Sequence, residues 1–283
     1  MNYDEIVEKV SETLVTAGST FSRDKITAYK RAIEKESNPR SRWVMEQIVE
    51  NALVAAKNRS PLCDDTGIPH LYLEVGKNRA VSGEDIAAIY EGVRKGLRTL
   101  PGRPMAIMGD DEHRIDQSGG LDPDSGGLAP APIQIRKVDE NVVRLYVLME
   151  GGGPAIRGKD YRVFHKHSVK TVIDEIVSWA VEAVAQLGCS PCTLAVGIGR
   201  SHYEAAAMAM EAQVHGSYEN PSAMEKEITE RVNKANIGVL GLKGDISVIG
   251  TFVKVGPQRA SGVRIVCLRP CCCFEPRVAS VEL

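Results

Sequence analysis

The stretch GCSPCTLAVGIGRS, residues 188–201, decides the fold class of this chain. Its centre, TLAVGIG, is a short apolar run that indicates a strand. A helical pattern over about 167–187 precedes it, and a second helix is predicted from Ser201 onward. Strands and helices are interspersed in this way along the chain without strict βαβ repetition. The pattern predicts an α+β fold, or an irregular α/β fold.

The N-terminal part of the chain, over about 1–60, is predicted to be helical. Apolar residues recur at helical spacing through the first 58 residues, and Asn38-Pro39 marks a break between helices. The segment LYLEV (71–75) predicts a strand, and Ser82 is a suitable N-cap for a helix over 83–98. We expect the remainder to form a mixed β-sheet with packed helices, as part of one unit over 1–283.

A long segment rich in Gly, Pro and Asp, residues 101–132, interrupts these patterns. Loops of this length inside a compact chain are uncommon and usually functional or mobile. Two predicted strands follow, over 132–138 and 142–149, joined by the short turn DEN. Further strands are predicted near 246–254 and 262–268, directly before the cysteine triplet of RPCCCFEPR.

Composition and charge exclude several classes of protein. With 43% hydrophobic residues in 283, the chain can bury a sizeable core. A net charge of −2 offers no basic field for nucleic acid or an anionic membrane surface. No apolar run approaches the roughly 20 residues of a transmembrane helix, and the acidic N-terminus does not resemble a signal peptide. The expected location is therefore the cytoplasm.

The seven cysteines suggest reduced thiols rather than a disulfide scaffold. Their number is odd and the chain is long, so they are either buried small side chains or ligands for a soft metal. Cys267 lies in the apolar run GVRIVCL and is expected in the core. CSPC (189–192) alone fits a redox pair or half a zinc site, but no second CxxC completes a zinc finger.

Taken in order, the motifs are far more specific than each is alone. CDDTG (63–67), GRP about 40 residues on, GGG (151–153), GCSP with AVGIG, and finally a cysteine with Arg277 four residues later follow one another. This series resembles the α subunit of the iron–sulfur hydro-lyases, the class I fumarase and L-tartrate dehydratase family. Members of that family typically carry CQDTG, LRP or LRH, GGG, ACPPxxxxVGIG and CWAxRR.

The resemblance implies a catalytic [4Fe–4S] cluster held by Cys63, Cys189 and Cys273. Such clusters normally take four thiolates, so three leave one iron open to act as a Lewis acid on a hydroxyl and carboxylate. Each of these cysteines is expected in a loop beside a strand, where the loops can converge. The remaining candidates for these positions, or for a supporting role, are Cys192, Cys271 and Cys272.

The resemblance also assigns the remaining site residues. Asp65 matches an aspartate beside the cluster, a substrate-contacting or acid–base group. Arg103 matches an arginine that holds a substrate carboxylate, a task suited to the planar guanidinium. The glycines Gly152 and Gly153 would let the backbone approach the substrate and donate amide hydrogen bonds. Lys159 is a second candidate anion contact.

The chain departs from the family pattern at positions that touch substrate. Asp64 replaces a glutamine, and its carboxylate would repel a dicarboxylate or raise the pKa of a neighbouring acid. An acidic, glycine-rich segment stands where the family has RxNTGxNTP, and Ser261 falls where it has a histidine. The predicted substrate is thus a small hydroxy (di)carboxylic acid, bound near Asp64.

The resemblance finally implies partners and leaves alternatives open. The family places the other half of its active site in a β domain or subunit, so we expect a separate β subunit, in an oligomer. One alternative is an iron–sulfur lyase or isomerase relative that acts on a non-dicarboxylate. Another is a non-catalytic cluster carrier or redox sensor that uses the thiol-rich tail.

Overall fold

A computed structural model describes residues 2–100 and 102–283, and confirms the predicted α+β fold. The helices are α1 (Tyr3–Ser19), α2 (Arg23–Lys35), α3 (Pro39–Asn58), α4 (Gly83–Thr99), α5 (Asp111–Asp116), α6 (Gly152–Arg157), α7 (Val169–Leu187), α8 (His202–His215) and α9 (Ala223–Asn233). The strands are β1 (Ile68–Gly76), β2 (Gln134–Val138), β3 (Val143–Glu150), β4 (Lys159–Phe164), β5 (Cys192–Gly199), β6 (Val248–Val255), β7 (Val263–Cys271) and β8 (Val278–Glu282). The helical N-terminal part and the break at Asn38-Pro39 are both as predicted.

The described residues divide into two compact units, and their strands form two mixed sheets packed with helices. The first unit contains the described residues within 1–20, 52–151 and 277–283. The second contains 21–51 and 152–276, so that α3 contributes residues to both.

The first unit contains a sheet on which α1 packs, and α4 packs against α1. Its strand order is β2-β1-β3-β8, with β1 parallel to β2 and antiparallel to β3. As predicted, Ser82 caps α4, and the side chain of Asp85 completes a capping box. Helix and strand side chains share one buried core, which includes Val10, Leu14, Leu71, Leu73, Ile89, Val93, Leu145 and Val147.

Strands β2 and β3 are not neighbours, although only a short turn joins them. β1 lies between them, so the connection must pass the end of β1, where Gly76 donates its N–H to the Val142 carbonyl (2.8 Å). A Cβ on Gly76 would overlap the Glu140 carbonyl oxygen and come within 2.8 Å of the Val142 nitrogen. The crossing therefore requires a residue with no side chain at position 76.

We expect Gly76→Ala to destabilise the chain by about 3 kcal/mol or more, because the clashing atoms belong to backbone and cannot swing away. Gly83→Ala is the matched control, since a Cβ there has nothing within 4 Å. It should change stability by no more than about 1 kcal/mol. Urea unfolding of both variants checks this, and equal midpoints would contradict the tight crossing.

The second unit is built on a sheet of order β4-β7-β5-β6. Every residue of β5 is buried, as expected for a central strand, and β5 runs parallel to β6 and antiparallel to β7. A Cβ on Gly197, in the AVGIG motif, would overlap the backbone of α8, so this glycine lets the helix lie close to the strand. The core includes Ile173, Ile176, Leu194, Val196, Ile228, Val248, Val266 and Leu268.

Several sequence expectations need correction. The predicted long loop contains the short helix α5 and a 3-10 turn at Ser125–Gly127, while Pro101 lies outside the described residues. Cys267, expected in the core, is only partly buried. β7 continues beyond 268 to Cys271, and β8 has no counterpart among the predicted strands.

Candidate functional site

The CDDTG loop of the first unit is organised around Asp64. Its Oδ1 accepts hydrogen bonds from the Cys63 thiol (3.3 Å) and from the Asp65 N–H (3.0 Å). These two hydrogen bonds, followed by the charge of Arg103, hold the pKa of the Asp64 carboxyl below its usual range. The loop thus presents an ionised carboxylate directly beside the partly buried Cys63 thiol.

The GRP motif lies against this same loop. Arg103 Nη1 is 3.8 Å from Asp64 Oδ2, and both side chains are largely exposed. Gly102 packs directly against the Thr66 side chain. Two motifs about 40 residues apart in sequence are therefore neighbours in the first unit, and Arg103 is held at the loop by an exposed ion pair.

Arg277 anchors the CDDTG loop through buried hydrogen bonds, a role that no sequence pattern predicts. Only 3% of this residue is exposed. Its Nε donates to the Met149 carbonyl (3.0 Å) and its Nη1 donates to the Asp65 carbonyl (2.9 Å). A single buried guanidinium thus ties the backbone of Asp65 to the end of β3. The only signal in the sequence was its spacing of four residues from Cys273.

The second unit brings Cys189 and Cys273 together. Cys189 follows α7, Cys273 follows β7, and the N–H of Cys273 donates to the carbonyl of Cys189 (2.9 Å). Cys189 is exposed, whereas Cys273 is buried. A hydrogen bond with the Cys272 side chain, together with burial, raises the pKa of the Cys273 thiol. Both cysteines lie in loops beside strands, as predicted.

The alternative cysteines Cys271 and Cys192 are buried at the ends of strands. Cys271 ends β7 and its buried thiol donates to Gln213 Oε1 (3.3 Å). Cys192 begins β5 and is also buried, which raises the pKa of its thiol. Cys272 is partly buried and hydrogen-bonds with Cys273. Of the three cysteines in the triplet, Cys273 is the one whose backbone N–H donates a hydrogen bond to Cys189.

The predicted anion contacts of the second unit have different surroundings. Gly152 and Gly153 open α6, and a Cβ on either would meet nothing within 4 Å. Lys159 Nζ is paired with Glu182 Oε2 (2.6 Å) and lies 5.8 Å from the ring centroid of Trp179. A role for Lys159 as a second anion contact stays a prediction.

Helix α2 supplies residues that no sequence motif indicated. The Tyr29 hydroxyl donates to the Cys273 carbonyl (2.7 Å), and the Lys25 ammonium donates to the Glu275 carbonyl (2.8 Å). Burial lowers the pKa of Lys25 to about 8, although the neighbouring thiols oppose this effect. Both residues hold the turn that carries Cys273.

Residues 2–100 and 102–283 contain no group of three His, Cys, Asp or Glu side chains arranged to hold a metal ion. None of the helices in the same ranges has the length and apolarity of a membrane span.

The order of the motifs fits the hydro-lyases, enzymes that add water to a double bond or remove it. The chain belongs to the fumarate hydratase (Fumerase) family, whose sequence model matches residues 7–282. This confirms the resemblance seen in the sequence and identifies the chain as a hydro-lyase.

Relatives match over nearly the full chain. The putative L(+)-tartrate dehydratase subunit alpha of Methanocaldococcus jannaschii is 26% identical over 289 residues, covering 97% of this chain and 96% of the relative. The L(+)-tartrate dehydratase subunit alpha of Escherichia coli strain K12 is 24% identical over 283 residues, covering 95% and 90%.

Proposed function

We propose that the chain is the α subunit of a [4Fe–4S]-dependent hydro-lyase that hydrates or dehydrates a small hydroxy (di)carboxylic acid. Cys63, Cys189 and Cys273 would hold the cluster, which supplies an open iron as Lewis acid for the substrate hydroxyl. The observation that carries this proposal is the backbone hydrogen bond between Cys273 and Cys189, the two second-unit cysteines at ligand positions in the motif order.

The donor chemistry fits this cofactor. Iron–sulfur clusters are held by cysteine thiolates, and the cysteines of this chain carry no disulfide. Cys189 is exposed beside the buried Cys273, while Cys192 and Cys271 are buried in or beside strands. Cys63 completes the proposed set on the strength of the CDDTG motif. That residues 1–283 act as one catalytic unit belongs to the same proposal.

The remaining residues bind and orient the substrate. Arg103 pairs with a substrate carboxylate. Its guanidinium is exposed, so the substrate carboxylate can replace Asp64 as its ion-pair partner. Asp65 acts as the acid–base or substrate-contacting group, on a backbone that Arg277 holds in place. The amides of Gly152 and Gly153 and the ammonium of Lys159 are further proposed contacts.

The proposed partner is a separate β subunit, because the relatives are named as alpha subunits of L(+)-tartrate dehydratase. That subunit would complete the active site, in an oligomer within the reducing cytoplasm. Neither nucleic acid nor a membrane is proposed as a partner.

One observation favours a second candidate function. The Asp64 carboxylate lies 3.8 Å from Arg103, so it competes with any substrate carboxylate for the guanidinium. An iron–sulfur lyase or isomerase that acts on a non-dicarboxylate acid would suffer less from this repulsion. The two candidates differ in the substrate and share the cluster ligands.

The decisive experiment is anaerobic reconstitution of the chain together with its β subunit. Iron and sulfide are counted, and hydration or dehydration of C4 to C6 hydroxy acids is then measured. The proposal predicts a cluster and turnover of at least one acid. A folded complex that binds no iron would contradict it, and turnover of only monocarboxylates would favour the second candidate.

We expect Asp64→Asn to lower KM for dicarboxylates several-fold, because it removes a negative charge beside Arg103 while keeping the side-chain shape. The KM for a monocarboxylate should change less. Asp116→Asn is the control, since Asp116 is an exposed carboxylate bonded to Ser118. An unchanged or raised KM for dicarboxylates in Asp64→Asn would show that Asp64 is not a repulsive element.

A further inference from the structure

The turn that carries Cys273 is held by two residues one helical turn apart on α2. The Tyr29 hydroxyl donates to the carbonyl of Cys273 at 2.7 Å. The Lys25 ammonium donates to the carbonyl of Glu275 at 2.8 Å. Residues at i and i+4 lie on the same helix face, so one face of α2 contacts both ends of the turn.

These contacts are deeply buried. Tyr29 is 0% exposed, Lys25 is 1% exposed and Glu275 is 1% exposed. The Phe21 ring lies near Phe274 (6.1 Å between centroids) and beneath the Lys25 ammonium (4.2 Å). Long charged side chains are almost never fully buried without a partner, so the position of Lys25 requires a reason.

Three charged side chains lie at this turn: Arg269, Glu275 and Lys25. Arg269 and Glu275 form a buried ion pair at 3.0 Å and neutralise each other. Lys25 then adds a buried positive charge next to a turn whose polar groups include three thiols. Its carbonyl hydrogen bond and the Phe21 ring stabilise this charge, but neither carries an opposite full charge.

We propose that α2 is a positioning element for the ligand turn: Tyr29 fixes the backbone of Cys273, and Lys25 supplies a buried cation that offsets the negative charge of a thiolate-bound cluster. This inference rests on the proposed function. A positive charge at this place favours the more negative, reduced state of a bound cluster, whereas the Tyr29 hydrogen bond keeps Cys273 in its binding position.

The test uses Lys25→Met, Lys25→Arg and Tyr29→Phe, with Lys30→Met as the matched control on the exposed face of α2. In reconstituted protein, the cluster reduction potential and the rate of iron release to a chelator are measured. Lys25→Met should shift the potential to more negative values, and Lys25→Arg should restore it. Tyr29→Phe should speed iron release about tenfold, because a buried carbonyl loses its donor. Lys30→Met should match the wild type.

A second readout does not need the cluster. In the iron-free chain, alkylation of Cys273 by iodoacetamide, followed by mass spectrometry, should be faster in Tyr29→Phe than in Lys30→Met, because the turn that buries Cys273 loses a hydrogen bond. Tyr29→Phe keeps the ring volume, so it stays informative if Lys25→Met does not fold. Variants that match Lys30→Met in potential, iron release and alkylation would overturn this inference. A wild-type complex with the β subunit that binds no iron would instead overturn the proposed function.

Discussion

We expect Cys273→Ser to abolish both iron retention and turnover. Cys272→Ala and Cys192→Ala should retain both. A serine hydroxyl is a poor substitute for a thiolate as a ligand for iron–sulfur clusters. A Lewis acid supplies several kcal/mol to such a reaction, so turnover should fall about a thousandfold or more. The measurement is iron and sulfide content, the visible absorbance of the cluster and the rate of hydration.

The three variants separate the proposed ligand Cys273 from two cysteines that are not proposed as ligands. Cys272 adjoins Cys273 in sequence, and Cys192 is buried at the start of β5. A cluster carrier that used the whole thiol-rich tail would lose its cluster in Cys272→Ala. If Cys273→Ser kept full iron and Cys272→Ala lost it, the assignment of Cys273 as the ligand would be wrong.

Arg277→Met is expected to lower the free energy of unfolding by about 3 kcal/mol or more. The change removes a buried guanidinium and leaves the carbonyls of Met149 and Asp65 without the donors now at 3.0 and 2.9 Å. Each buried polar group left unpaired costs about 1–3 kcal/mol. Urea unfolding followed by circular dichroism measures the loss. Where the variant folds, turnover should also fall, because the Asp65 backbone is no longer fixed.

Arg79→Met is the matched control for this variant. Arg79 is an exposed arginine of the same unit, and its bond to the Leu283 carbonyl is long at 3.4 Å. Its replacement should change stability by no more than about 0.5 kcal/mol. Equal losses in the two variants would mean that Arg277 does not anchor the loop.

Local signals in the sequence were sufficient for most helices and strands. Ser82 and the apolar spacing after it predicted α4 correctly, because a capping residue and a helical period are both encoded within a few positions. Pairing of strands was not predictable in the same way. β2 and β3 are joined by the short turn DEN, yet β1 lies between them, and strands consecutive in sequence are neighbours in a sheet in only about two-thirds of cases.

In the candidate site, too, the sequence predicts the motifs but not the long-range contacts between them. The order of the motifs identified the family, and it predicts Cys63, Cys189 and Cys273 as cluster ligands. It could not reveal that Arg277 bonds to the Asp65 carbonyl, or that Asp64 pairs with Arg103. These contacts join residues far apart in sequence, and no local period or spacing encodes them.

The sequence by itself determined the fold class and the family, and it predicts the thiol donors, because each of these depends on residue types and their order. Only the tertiary structure decided which groups support those donors: Arg277 beneath the CDDTG loop, and Lys25 and Tyr29 beneath the turn of Cys273. The physical reason is that a buried hydrogen bond depends on the distance between two backbones, and that distance is set by the packing of the whole unit.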